Sequence, residues 1–358
     1  MRPFLLACAA RHSSLCALGF SGLEQLAAYN ALSRESSAAL VELLAQARVS
    51  CVRVASRTFL LLQPDDLVVW QVDDDDEEPA QLKALQTTLT VLQSLASQPS
   101  SDDAVQSLVF ACFRLLSGAQ CTNAVRATAA ATLRQAVSVL LQRASQDAGA
   151  GSSALALLGA ICAIAHGRAA PALAAPLPRA FAVDLLDDAL RAHALLFRTA
   201  PTFCDLLAQT IFPLLADLLA GGAAQSVKGS GARYGSATGT ALPASIPDDV
   251  GVDPARVAEH RCTFRTASTA VCLFARTLPR QIGMLLARLL AASQAGDQAA
   301  WYRAAAFEGL HRCAADAHLA RSLVEALPCE PRVTVLGQIC VVATATLADA
   351  VGPDAVRT

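Results

Sequence analysis

The sequence is short of aromatic residues, of charge and of strand-forming runs, and each shortage narrows the class of protein. Aromatic residues are 5% and charged residues 16% of the 358 positions, against roughly 25% charged residues in soluble domains. The low charge has two alternative explanations. Either the surface is partly covered by a partner, or the gene comes from a GC-biased genome that favours Ala. Runs of β-branched and aromatic residues are scarce, whereas the helix formers Ala and Leu dominate the apolar 54%. We therefore predict an all-α protein.

Signatures of nucleotide binding and of catalysis are also missing. The sequence contains no GxGxxG or GxxxxGKS/T string that would hold phosphates. It also lacks the GxSxG and HExxH motifs of hydrolases. The 28 basic residues are spread along the chain without stripes and the net charge is −2, so nucleic acid is not an expected partner. We expect no enzymatic activity and no cofactor.

Cysteine is plentiful, but the twelve cysteines show no CxxC and no paired spacing. This is typical of small buried side chains in a reducing compartment. His260 with Cys262 and His311 with Cys313 each form an HRC triplet, and with Cys272 they could be assembled into a zinc site. Their spacing matches no structural zinc pattern, so we expect no metal.

Two acidic groups are interpreted as solvated rather than functional. Asp184 and Asp188 are one helical turn apart, with Asp187 beside them, which predicts a solvent-facing side of a helix. The run at 73–78, DDDDEE, is interpreted as a solvated loop, with a docking site for a basic partner as the alternative.

Long apolar runs suited to a membrane are interrupted. Residues 148–167 and 333–348 are the best candidates, yet polar residues break both, so we interpret them as buried helices. The start, MRPFLLACAARHSS, imitates a signal peptide, but its apolar stretch ends at Arg11 and predicts a helix.

Amphipathic helices follow one another along the chain, separated by short breaks. In residues 128–143, Leu133 and Val137 lie on one face, and Arg134 and Gln135, candidates for protein interaction, lie on the other. Many such helices with short links predict an α-solenoid of stacked hairpins, although no strict repeat is visible. The predicted helices include 82–96, 105–116, 128–143, 181–197, 203–219, 256–277, 281–292, 298–314 and 332–348.

Trp301 and Arg303 are the remaining interaction candidates. Both are residue types that anchor protein interfaces, and they lie near the predicted start of a helix. The alternative is that Trp301 fills the seam between two hairpins.

Several segments together resemble one family in order and spacing. The string TAAATLRQAVSVLLQR resembles a helix of the Mon-two family of Golgi trafficking proteins, relatives of the large Arf guanine-nucleotide exchange factors. The matching segments are 82–95, 109–115, 128–143, 181–190, 203–218 and 299–313. Segment 3–9, PFLLACA, resembles a stretch that follows several earlier helices in the family. We therefore expect a fragment or a truncated gene product.

The resemblance implies an armadillo/HEAT-like solenoid in four segments. These are a truncated dimerisation/cyclophilin-binding-like module (1–150), the start of an upstream-of-Sec-seven homology module (151–220), a Gly/Ser/Ala/Pro-rich linker (221–254) and continued solenoid (255–358).

It also implies a function without catalysis: a cytosolic scaffold, peripheral on the trans-Golgi network and endosomes, in endosome-to-Golgi retrieval and Arf-pathway regulation. The implied partners are an Arf or Arf-like small GTPase, a Dopey-type protein and a second copy of the chain, with membrane contact through partners. Two alternatives stay open: the upstream regulatory region of a true Arf exchange factor, and an unrelated helical-repeat adaptor.

Overall fold

The structure is a computed structural model, and every regular element in the part it describes is helical. This confirms the predicted all-α class. The described residues are 2–9, 13–29, 31, 40–41, 44, 77–96, 109, 112–113, 115–116, 121–146, 151–168, 177–226, 253–295, 298–316 and 319.

The helices divide between two compact units, Met1–Leu177 and Pro178–Thr358. The first holds α1 (Arg2–Ala9), α2 (Ser13–Ala28), α3 (Glu77–Ala96), α4 (Asn123–Gln146) and α5 (Gly151–Ala165). The second holds α6 (Arg179–Ala192), α7 (Ala194–Thr199), α8 (Pro201–Leu206), a π-helical turn (Leu207–Ile211), α9 (Phe212–Ser226), α10 (Pro254–Phe274), α11 (Pro279–Gln294) and α12 (Ala300–Ala315). The predicted boundary at 150 lies 27 residues before this division and stays a prediction.

In the first unit each of these helices packs against the next one in chain order, from α1 through α5. Helix α4 shows why: Leu133, Val137 and Leu140 on its apolar side are at most 2% exposed, as the periodicity predicted. The helix begins before residue 128 because the side chain of Thr122 accepts the amide of Val125 at 3.3 Å and caps the first turn.

The second unit is built around α10. Helix α10 packs against α6 on one side and α12 on the other, while α9 and α11 pack against each other and against α10. Helices that alternate in the chain, such as α9 with α11 and α10 with α12, therefore contact each other in addition to their neighbours. The continuous solenoid across the chain stays a prediction.

Proline explains the main departure from the predicted helix 203–219. Pro213 has no amide hydrogen to donate to the carbonyl of Gln209, and its ring would clash with that carbonyl in a regular α-helix. The chain widens into the π-helical turn Leu207–Ile211 immediately before it. The predicted helix 181–197 is likewise interrupted, at His193, where φ is −122° and ψ is 30°.

Helices extend into both ends of the predicted linker 221–254. Helix α9 continues to Ser226 because its Gly and Ala residues do not end a helix already held in place by packing. Helix α10 begins at Pro254, where Asp253 accepts the amide of Ala255 at 3.0 Å. Residues 227–252, the acidic residues 73–76 and the predicted helix 332–348 lie outside the described residues.

Candidate partner-binding surfaces

The α1–α2 hairpin is packed so closely that backbone meets backbone. A Cβ atom at Gly19 of α2 would lie 2.6 Å from Sγ of Cys8 and 2.8 Å from the carbonyl oxygen of Phe4. Cys8 and Cys16 are each at most 1% exposed, and the Cys16 thiol donates to the Cys8 carbonyl at 3.5 Å. Small side chains therefore set the distance between these helices.

Several large apolar side chains of this hairpin are exposed. Leu15 and Leu18 of α2 are 47% and 66% exposed, Tyr29 directly after α2 is 83% exposed, and Leu6 of α1 is 65% exposed. Spacings of 3 and 11 residues put Leu15, Leu18 and Tyr29 on the same side of α2. Four of the six large apolar side chains that are exposed in the described part of the chain belong to this hairpin. We call these four residues the hairpin face.

The opposite side of α2 is held to α3. Lys83 forms an ion pair with Glu24 at 2.5 Å, and the hydroxyl of Thr87 donates to the carbonyl of Phe20 at 3.1 Å. Because α3 covers this side, α2 contributes one face to the core of its unit and leaves the hairpin face available for a partner.

The interaction candidates on α4 are adjacent but differently placed. Gln135 is exposed and Arg134 is half-buried. Neighbouring residues of an α-helix point about 100° apart, so the two form at most one edge of a contact surface.

Trp301 and Arg303 do not form one surface on α12, since residues two apart point about 200° away from each other. Trp301 is half-buried, and its ring centroid lies 5.8 Å from that of His260 on α10. Burial lowers the pKa of His260, and the nearby Glu259 carboxylate offsets this effect only in part. The indole Nε1 of Trp301 and Nε of Arg303 are buried and have no hydrogen-bond partner among the described residues.

An ion-pair network crosses the α6–α10 seam, which corrects the prediction of a solvated face. Asp187 is 2% exposed, and its carboxylate lies 3.2 Å from Nε of Arg265 and 3.0 Å from Nη2 of Arg191. Asp184 also pairs with Arg265. Asp188 alone is exposed. The spacing of these aspartates was compatible with a solvated face and with a buried, paired one. Packing of α10, about 80 residues away in the chain, against α6 produced the paired arrangement.

No arrangement of the described residues gathers three or more His, Cys, Asp or Glu side chains for a metal. Among the residues considered for a zinc site, His311 is exposed and His260 packs against Trp301. Within that set, Cys272 and Cys313 lie in contact with each other. Burial raises the pKa of Cys112 and of Cys162 to about 12, which leaves these thiols protonated and chemically inert near neutral pH.

One helical stretch, Pro201–Ala220, is long and apolar enough to cross a membrane. Its side chains divide by face: Phe203, Leu207 and Phe212 are buried, whereas Asp205, Gln209 and Asp217 are exposed. Two carboxylates on the exposed side are costly in hydrocarbon. The stretch therefore has the pattern of a core helix.

Comparison with known proteins shows which family the chain resembles. Residues 1–148 match the family model of the Mon2/Sec7/BIG1-like dimerisation and cyclophilin-binding domain. A curated relative, the protein MON2 homolog of Caenorhabditis briggsae, is 23% identical over 372 residues, an alignment that covers 95% of this chain. The chain therefore resembles Mon2 proteins. It covers 20% of the curated protein's length. The predicted resemblance to the Mon2 family is confirmed, and the hairpin face lies within the matched domain.

Sequence reasoning missed both the hairpin face and the α6–α10 ion pairs. The segment containing α2, SSLCALGFSGLEQLAA, is apolar on several sides, so its pattern does not tell which leucines a neighbour covers. A spacing of three between Leu15 and Leu18 was the available signal.

Proposed function

We propose that this chain is a non-catalytic scaffold in Golgi and endosome trafficking that self-associates through its hairpin face. Support comes from the match of residues 1–148 to a domain named for dimerisation and from four exposed apolar side chains within that match. Burying one leucine side chain contributes about 1.5–3 kcal/mol. In a symmetric dimer both copies bury the same residues, so each leucine would contribute twice.

The exposed hairpin face is the observation that carries the proposal. Contiguous exposed apolar groups are rare on monomers and mark interaction sites. The low charge content of the chain acts in the same direction, because few charges oppose the approach of a second copy.

Sedimentation analysis over a concentration series tests self-association. We expect the wild-type chain to increase in mass with concentration, and the Leu15→Gln/Leu18→Gln variant to stay monomeric. Leu195→Gln is the matched control, since Leu195 is 71% exposed but belongs to the second unit. A monomeric wild-type chain, or equal weakening by the control, would overturn the hairpin assignment.

The cellular role is proposed as protein transport between endosomes and the trans-Golgi network. Its proposed partners are an Arf or Arf-like GTPase and a Dopey-type protein, with peripheral membrane contact through them. The test is to image the tagged chain and its full-length gene product against a trans-Golgi marker and to use both for pull-down. We expect both to be recruited to the Golgi, and at least one such partner to be pulled down with them. A diffuse or nuclear signal without either partner would overturn this role.

The four interaction candidates stay part of the proposal as secondary contacts. Gln135 is the most accessible of them, whereas Trp301 is half-buried against His260. The Gln135→Ala variant tests a contact on α4. Weaker pull-down of the proposed partners, with the secondary structure retained, would support this contact.

The second candidate function is the upstream regulatory region of a true Arf exchange factor. It is favoured by the matched domain, whose description includes Sec7 and BIG1 relatives. A longer transcript that encodes an exchange domain would establish this alternative. The family match removes support from the third alternative, an unrelated helical-repeat adaptor.

A further inference from the structure

Helices α10 and α12 run in the same direction and pack closely against each other. A Cβ atom at Gly309 would lie 3.5 Å from the carbonyl oxygen of Phe264, and Sγ of Cys313 lies 3.9 Å from the carbonyl oxygen of Ser268. Both pairs are separated by 45 residues, and each helix advances by one turn between them. The small residues at this seam allow the two backbones to approach.

Two thiols meet at the end of this seam. Cys272 follows Ser268 by one turn on α10, and its side chain is hydrogen-bonded to the thiol of Cys313. Cys313 is 3% exposed, while Cys272 is half-buried and so accessible in part to small solutes. The pair thus combines one accessible thiol with one enclosed thiol.

The Cys8–Cys16 pair in the first unit provides a contrast. Its thiols also lie close to each other's backbone carbonyls, but both side chains are buried. Burial, with a smaller contribution from Cys16, raises the pKa of Cys8 to about 12. Two cysteines pack closely at both places, whereas partial access to solvent is present only at Cys272.

Acidity divides the roles within the Cys272–Cys313 pair. The hydrogen bond with Cys313 lowers the pKa of Cys272, and this effect outweighs burial and the nearby Asp316 carboxylate. The same bond and burial raise the pKa of Cys313. Because a peroxide must reach the thiol that it oxidises, the partly exposed Cys272 is the thiol that reacts first, and the direction of its pKa agrees with this.

We propose that Cys272 and Cys313 form a redox-modification site, at which a hydroperoxide joins α10 and α12 by a disulfide. The Cys272 thiolate attacks the peroxide oxygen, the O–O bond breaks, and hydroxide leaves, giving a sulfenic acid. The Cys313 sulfur then attacks the Cys272 sulfur, the S–O bond breaks, and the S–S bond forms as the sulfenic hydroxyl group and the Cys313 proton leave as water. Two thiols are oxidised by two electrons and one peroxide is reduced.

Mass spectrometry of the oxidised chain tests the site directly. Trypsin places the two cysteines on separate peptides, 266–276 and 313–321, each with one cysteine. After brief hydrogen peroxide treatment of the full folded chain and blocking of free thiols, we expect the 266–276/313–321 linked peptide to be several-fold more abundant than any other linked cysteine pair, because Cys272 is partly exposed and Cys313 lies beside it. The disulfide should also raise the melting temperature by several degrees, reversibly with dithiothreitol.

Three variants separate the proposal from nonspecific oxidation. Cys272→Ser should abolish the link and leave Cys313 reduced, Cys313→Ser should leave Cys272 as a sulfenic acid that dimedone traps, and Cys8→Ser should change neither result. Circular dichroism establishes that each variant is folded. Two results for the wild-type chain would overturn the proposal. One is oxidation of Cys272 without a disulfide to Cys313, and the other is a Cys8–Cys16 disulfide in equal yield. None of these outcomes depends on self-association.

Discussion

The α1–α2 hairpin and the α6–α10 pair join helices by different means. In the hairpin, Gly19 lets α2 rest directly on the backbone of α1, and the outer side stays apolar. Between α6 and α10, Asp187 and Arg265 pair inside the seam. Aromatic residues are scarce in this chain, so bulky side chains are seldom available to set how two helices align. Close backbone approach does so in the α1–α2 hairpin, and paired charge does so between α6 and α10.

The largest effect should come from breaking the charged seam. Arg265→Met leaves the carboxylate of Asp187, whose side chain is 3% exposed, with Arg191 as its ion-pair partner. We expect a loss of about 3 kcal/mol in the free energy of unfolding, measured with urea, since a buried carboxylate that loses one of its two ion-pair partners is costly.

The exposed pair Arg312–Glu308 is the control for this prediction. Arg312→Ala should cost less than about 0.5 kcal/mol, because helix-surface pairs contribute little. Equal losses in the two variants would show that the α6–α10 network contributes no more than a surface pair.

Next in size is the glycine contact of the hairpin. Gly19→Ala places a methyl group against the Phe4 carbonyl and the Cys8 side chain, and we expect a loss of about 2 kcal/mol by chemical denaturation. Gly159→Ala in α5 is the matched control, since nothing lies within 4 Å of its Cβ position. If both variants are equally stable, the hairpin is more loosely packed than the structure shows.

A smaller effect is expected from the single hydroxyl that ties α12 to α9. Tyr302 is 2% exposed and its hydroxyl donates to the carbonyl of Leu219 at 3.1 Å. Tyr302→Phe should lower the free energy of unfolding by about 1 kcal/mol. Tyr29→Phe, at a residue 83% exposed, should leave the urea midpoint unchanged; a similar shift in both would contradict the assigned bond.

The smallest effect is expected to have the opposite sign. At Gly309 a Cβ atom would make ordinary contact with Phe264 at 3.5 Å. Gly309→Ala should therefore stabilise the chain by about 0.5 kcal/mol through helix propensity. Thermal unfolding of the Gly309→Ala and Gly19→Ala variants compares the same substitution at two helix contacts. A loss of stability in both variants would mean that α10 and α12 approach as closely as α1 and α2.

Much of the local structure was predictable, and the long-range contacts were not. The periodicity of Leu133, Val137 and Leu140 predicted the buried face of α4, because helix geometry repeats every 3.6 residues. The same spacing rule placed Asp184 and Asp188 on one side of α6 but could not show that Arg265 would cover Asp184 and Asp187. Leu18 was indistinguishable from a core leucine until its neighbours were placed.

The sequence by itself determined the helices, the absence of known catalytic motifs and the family resemblance. These properties depend on composition, spacing and ordered segments, which are local and can be read along the chain. Tertiary structure alone decided that Leu6 and Leu18 stay exposed, that Asp187 is buried, and that Cys272 meets Cys313. The reason is physical: burial and pairing depend on which helix covers which face, and in an Ala- and Leu-rich chain many faces are apolar enough to be covered.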